Sequence, residues 1–217
     1  MTEIAIQNLS KTIKSNAVIQ DISMNLKSGV IYGFKGINGS GKTMLMRLIC
    51  GLIRPTEGEI RINGKTLGKD LSFPESIGVF LENPAFLDSY SGFQNLKILA
   101  SIKSVATDED IRATLSRVGL SPNDKKKYRK YSLGMKQRLG IAAAIMEKPD
   151  IVILDEPTNS LDADGVMLVK QIVQEEKVRG ALVILSCHDG ALLEGLSDEI
   201  FLLERWRLTE HTVGDEV

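Results

Sequence analysis

The segment GINGSGKT, residues 36–43, constrains this chain more than any other stretch. It fits the pattern G-x-x-x-x-G-K-[ST], which a chain of this length meets by chance about one time in a hundred. The apolar, β-prone run of residues 30–34 precedes it, and Leu45, Leu48, Ile49 and Leu52 recur at helical spacing behind it. The stretch therefore reads as strand, glycine loop, helix. Gly36, Gly39 and Gly41 let backbone N–H groups turn inward around a phosphate, with Asn38 and Ser40 between them and Met44 opening the helix, whose N-terminus adds its partial positive charge. Lys42 is placed to reach β- and γ-phosphates, and Thr43 to ligate Mg²⁺.

Two more buried strands follow from the pattern. Residues 150–156 (DIVILDE) carry four apolar residues in succession, which suits a parallel strand covered on both faces, and residues 181–188 (ALVILSCH) end on His188. Strands of this kind among helical stretches imply an open α/β sheet whose ligand sits at the carboxyl ends of the strands. Between the glycine loop and the strand at 150–156, Leu96, Leu99 and Ala100 are helically spaced, and Thr107 with Asp110 makes a capping-box pattern ahead of Ile111, Leu115 and Val118. A helical insertion is expected over residues 84–140. Residues 1–29 and 58–78 alternate in short segments with turn glycines and read as an antiparallel sheet beside the main one. The expectation is one domain over residues 1–217, its catalytic core and antiparallel β subdomain built from 1–83 and 141–217.

Composition excludes some classes of partner. Lysine and arginine (27) nearly cancel aspartate and glutamate (28), and the net charge of −1 supplies no long-range field for nucleic acid or anionic lipid. The basic run KKKYRKY, residues 125–131, is short and isolated and reads as a solvated surface segment. No apolar stretch reaches the ~18 residues of a membrane helix, and the start MTEIAIQNLSK lacks a signal-peptide layout, so the chain is expected in the cytoplasm. Cys50 and Cys187, each beside apolar residues, read as reduced structural thiols.

Hydrolysis of a phosphate chain also needs a magnesium-orienting group and a base. The strand at residues 151–154 delivers Asp155 and Glu156 to the carboxyl edge of the sheet, where Asp155 would hold the ion through water and Glu156 would orient or deprotonate the attacking water.

At this point a family resemblance becomes specific. YSLGMKQRLGIA, residues 131–142, resembles the signature sequence of ATP-binding cassette (ABC) ATPases; DEPTNSLD, residues 155–162, resembles their Walker B and D-loop in series, ending on Asp162; His188 falls where the family places its switch histidine. The resemblance implies a P-loop NTPase core sheet with a flanking antiparallel β subdomain and an inserted α-helical subdomain, with ATP and Mg²⁺ bound. It also implies a second ABC ATPase subunit paired head to tail. Ser132, Leu133, Gly134 and Met135 would then face the ATP held by the partner's P-loop, and the dimer would drive a separate integral membrane permease from the cytoplasmic face. An iron–sulfur assembly type of soluble ABC ATPase is the alternative.

Three positions depart from the commonest family form. Leu133 and Met135 stand where Gly and Gln are usual, a variant resembling exporters of drugs and antimicrobial peptides. Ile13 occupies the place of the aromatic ring that stacks on adenine, a loss of ~1–3 kcal/mol. Glu82 replaces the glutamine that senses Mg²⁺, which resembles the bacitracin and lantibiotic subgroup; the expectation is either an added metal ligand close to Asp155 and Glu156 or a tolerated isostere.

Overall fold

The computed structural model describes residues 1–82 and 85–214. Pro84, at which the helical insertion is expected to open, lies outside the described residues, as do Asn83 and residues 215–217. Strands β1 (Glu3–Ile13) and β2 (Asn16–Lys27) form a hairpin and are followed by β3 (Ile31–Lys35), α1 (Lys42–Ile49), β4 (Glu57–Ile62), β5 (Lys65–Thr66) and β6 (Ile77–Phe80). Next come α2 (Gly92–Lys103), α3 (Asp108–Arg117), a 3-10 turn (Tyr128–Lys130) and α4 (Leu133–Ile145). After β7 (Ile151–Leu154) the order is α5 (Ala163–Val178), β8 (Leu182–Ser186), α6 (Gly190–Glu194), β9 (Glu199–Glu204) and β10 (Arg207–Val213).

The expected α/β architecture is present. One sheet has the order β10-β9-β3-β8-β7-β6, parallel from β9 to β6 with β10 antiparallel at its edge, and an antiparallel sheet β2-β1-β4-β5 lies beside it. The strand alternation distributes the core between two layers. Ile151 and Ile153 of β7, with Leu182 and Ile184 of β8, pack with α1 and the antiparallel sheet. Val152, Leu154, Val183 and Leu185 point the other way, toward α4 and α5. Burial on both faces is why these strands read as unbroken apolar runs. The approach of α4 to β6 depends on Gly78, where an added Cβ would stand 1.7 Å from the Ala144 carbonyl oxygen.

Helix ends follow their local chemistry. Ser91 with Gln94 and Thr107 with Asp110 form complete capping boxes on α2 and α3. Leu52, expected on α1, lies beyond it and is exposed. The helix stops in a Schellman motif, with Leu52 N–H donating to Arg47 O, Gly51 N–H to Leu48 O, and Gly51 at φ +75°. Leu96 and Ala100 of α2 are buried as the spacing implies, but Leu99 is exposed. Helix α4 runs on through residue 140, where the insertion was expected to close. The run at residues 125–131 divides by residue type: its charges are outside, whereas Tyr128 and Tyr131 are buried, Tyr128 edge-on to Phe86. The aromatic interleaving is thus core packing.

Candidate functional site

Strand β3 ends at the glycine loop, and the loop has little freedom. At Gly36 (φ +154°) an added Cβ would meet the Leu203 carbonyl oxygen at 2.4 Å and Ser40 Oγ at 2.5 Å. Helix α1 then starts from Gly41 with no side-chain cap and no acidic residue in its first turn. Its leading N–H groups are left for an anion. Lys42, buried in the loop, donates from Nζ to the carbonyl oxygens of Gly36 (2.6 Å) and Ile37 (3.2 Å). Ser40 Oγ is enclosed without a hydrogen-bond partner. An uncapped helix start with a buried ammonium suits a phosphate chain.

The carboxylates arrive on β7 beside this loop. Asp155 is buried, and each of its oxygens accepts a hydroxyl: Oδ2 from Thr43 Oγ1 at 2.6 Å and Oδ1 from Ser186 Oγ at 2.5 Å. A hydroxyl and a carboxylate in contact are hard oxygen donors of the kind Mg²⁺ takes. Glu156 has a left-handed backbone, φ +53°. Its N–H donates to Ser186 Oγ (3.0 Å) and its carbonyl accepts from Gln137 Nε2 of α4 (2.8 Å). Its Oε2 lies 2.6 Å from His188 Nε2 and accepts from Asn159 Nδ2 at 2.6 Å. Such a non-glycine conformation persists only where its surroundings over-determine it, and four residues, Ser186, Gln137, His188 and Asn159, hold this one.

Of these groups, Lys42, Thr43 and Glu156 share a cleft of about 320 Å³ lined by Val18, Asn38, Gly39, Gly41 to Met44, Glu156 and Trp206. The segment of residues 132–135 opens elsewhere. Ser132 caps α4 by accepting from Met135 N–H at 3.2 Å, and Ser132, Leu133, Gly134 and Met135 line a second cleft together with Asp162. Helix α4 thus begins at Leu133, directly after its capping serine. Asp162 caps α5 through Gly165 N–H (2.9 Å) and stands 3.6 Å from Arg138. One chain therefore presents two separate clefts.

The family model described as "ABC transporter" matches residues 19–159, well over half of the chain. The chain belongs to the ABC transporter ATP-binding family. YybJ of Bacillus subtilis, described as an uncharacterized ABC transporter ATP-binding protein, is 50% identical over 205 residues, 94% of each chain. BcrA of Bacillus licheniformis, a bacitracin transport ATP-binding protein, is 37% identical, covering 100% of this chain and 71% of its own length. Among solved structures, the ATP-binding subunit of an ABC transporter superposes with a TM-score of 0.87 at 26% identity, covering 97% of this chain and 89% of that one. The chain is accordingly an ATP-binding ATPase subunit.

At two positions of this ABC ATPase the structure shows contacts other than the expected ones. Glu82 does not join Asp155 and Glu156: its Oε1 lies 2.5 Å from Arg47 Nη2, and among the described residues no group of three His, Cys, Asp or Glu side chains converges as a metal site. Arg47 follows Thr43 by one helical turn on α1, and its charge holds the glutamate. Ile13 pairs with Asn16 at the end of the β1–β2 hairpin, is 40% exposed, and does not line the cleft. Four residues with roles in the geometry were not singled out from sequence: Ser186, Asn159, Gln137 and Trp206. Asn159 sits inside the quoted DEPTNSLD run and Gln137 inside YSLGMKQRLGIA, so the signal was present for those two. Ser186 likewise lies inside the quoted ALVILSCH run, whereas Trp206 had no such signal.

Proposed function

We propose that this ATPase hydrolyses MgATP in a site shared by two copies and that the resulting closure and release drive a separate membrane permease exporting an antimicrobial peptide. The observation that carries the reading is the division of the site. Lys42, Thr43 and Glu156 face one cleft, with the buried Asp155 bonded to Thr43 behind it, and the signature residues line another. Head-to-tail pairing of two chains would bring the second cleft of each onto the first of the other. The substrate class follows from the likeness to the bacitracin transport protein and from Leu133 and Met135. Among the described residues no helix is long and apolar enough to cross a membrane; attachment to the inner membrane face is assigned to the permease.

Each residue then has a task. Lys42 exchanges its two carbonyl partners for phosphate oxygens, while the uncapped N–H groups of α1 donate to oxygens of the same phosphate chain. Thr43, with Asp155 acting through water, would hold Mg²⁺, which would supply charge neutralisation for the phosphates. Glu156 positions the attacking water and takes its proton, with His188 and Asn159 fixing the carboxylate. Ser132 and Gly134 of the second copy close over the terminal phosphate, Ser132 through its hydroxyl and Gly134 through close backbone approach. Loss of that phosphate removes the bridge and the pair separates.

Glu156→Gln tests this directly. The variant should bind MgATP, hardly hydrolyse it, and accumulate as a dimer in light scattering, because the phosphate contacts are spared. A Glu156→Gln chain that stays monomeric with MgATP bound would overturn the shared site.

A further inference from the structure

The aromatic ring absent at Ile13 has a counterpart at the other end of the sequence. Trp206, the chain's one tryptophan, occupies the tip of the β9–β10 hairpin, a two-residue turn in which Arg205 has φ +45° and Trp206 φ +67°. Turns of that kind favour Asn and Gly, and a bulky residue at positive φ is an outlier that its surroundings must hold. They do: the Trp206 carbonyl accepts from Gln20 N–H at 2.8 Å, Arg207 Nε donates to Gln20 Oε1 at 2.8 Å, and the indole Nε1 donates to the Gly39 carbonyl at 3.1 Å. The pyrrole edge of the ring therefore rests on the glycine loop, and Cδ1 would lie 3.8 Å from a Cβ at Gly41. The residue remains 39% exposed and lines the cleft that also holds Lys42, Thr43 and Glu156, with Val18 as an aliphatic neighbour.

We infer that the indole of Trp206, together with Val18, forms the platform for the base of the bound nucleotide, replacing a ring at Ile13. The inference rests on the nucleotide site proposed above. Its physical basis is the pairing of a phosphate-binding loop with a large π face in one open cleft. A purine is flat and apolar on its faces, and stacking is the interaction such a ring offers. Arg205, beside it at the tip, lines a neighbouring cleft with Gly36 to Asn38 and His188, so the ring is the part of the turn that shares a cleft with Lys42, Thr43 and Glu156. The bond from Nε1 to Gly39 further ties the base platform to the phosphate cradle.

Because the chain has one tryptophan, its emission reports this site alone. ATP and inorganic tripolyphosphate, each with Mg²⁺, are titrated against the wild type, Trp206→Phe and Trp206→Ala, with calorimetry for affinity and acrylamide quenching for exposure of the indole. ATP should shield Trp206 from acrylamide in the wild type, and tripolyphosphate should not. Trp206→Ala should weaken ATP about tenfold, Trp206→Phe by less than about threefold, and tripolyphosphate should bind all three alike. Unchanged quenching on saturation with ATP overturns the proposal without any variant, and so does an unchanged ATP affinity in Trp206→Ala. If the wild type binds neither ATP nor tripolyphosphate, the nucleotide site itself fails; if it binds both but ATP gains no shielding, the platform alone fails.

Discussion

At the end of β8 the buried Ser186 hydroxyl donates to Asp155 Oδ1 at 2.5 Å and accepts from Glu156 N–H at 3.0 Å. One oxygen thus orients the metal-side carboxylate and anchors the backbone of the proposed base. Ser186→Ala leaves that N–H without its acceptor, a cost of roughly 1–3 kcal/mol in stability. The positioning role predicts more than lower stability. The turnover number should fall about tenfold or more while ATP affinity changes little, since the phosphate-binding loop is untouched. Steady-state kinetics beside calorimetric ATP binding would show this; equal loss in both would reduce Ser186 to a packing residue. Glu82 teaches the converse at the same scale. A carboxylate close to the site in sequence terms is held by Arg47, and its charge is spent there.

Among the elements, α3 shows how local chemistry sets a boundary. Asp110 accepts from the Thr107 hydroxyl (2.6 Å) and N–H (3.0 Å), with Lys148 Nζ at 3.3 Å, and Thr107 Oγ1 accepts from Asp110 N–H at 3.1 Å. The Thr107 hydroxyl foremost, then its N–H and Lys148, lower the Asp110 pKa to about 2. A depressed carboxylate pKa contributes stability that is present above the unfolded value near ~3.9 and is lost as pH falls through the folded one. The cap should therefore weaken between about pH 4 and pH 2. Carboxyl NMR should place the Asp110 midpoint near 2, Thr107→Ala should move it up toward the ordinary range, and Asp110→Asn should flatten the acid dependence of amide protection in α3. Farther along, Arg117 of α3 bonds Glu175 (2.7 Å) and the buried Glu176 (2.9 Å) of α5. That pair ties the helical insertion to the core sheet's covering layer.

For the whole molecule, the two clefts are the feature with functional reach. If each working site combines the glycine loop of one chain with residues 132–135 of another, then Lys42→Ala and Ser132→Arg should each be inactive alone. Mixed in equal amounts, random pairing leaves roughly a quarter of the sites with both halves intact in a two-fold dimer. ATPase activity should accordingly reappear on mixing, at about that fraction of wild type. A mixture as silent as its parents would show that the site closes within one chain.

How much of this was legible beforehand depended on the range of the interaction. The glycine loop, both carboxylates at a strand end, the Thr107 capping box and the two-faced burial of β7 and β8 are written in neighbouring residues, because φ preferences, caps and the period-2 alternation act over a few positions. The antiparallel flank was readable for the same reason. The short strand β6, with four residues, offered too little pattern, and Gly51 ended α1 before Leu52 by a signal that was present but unused. What only the tertiary structure decided lies across the chain: Ser186 against Asp155, Gln137 of α4 against Glu156, Arg47 against Glu82, and Trp206 against Gly39, 167 residues away. No local spacing encodes these contacts. They arise because parallel strands bring their carboxyl ends to one edge whatever their order in sequence, so the sequence determined which groups exist and the folded sheet decided which of them meet.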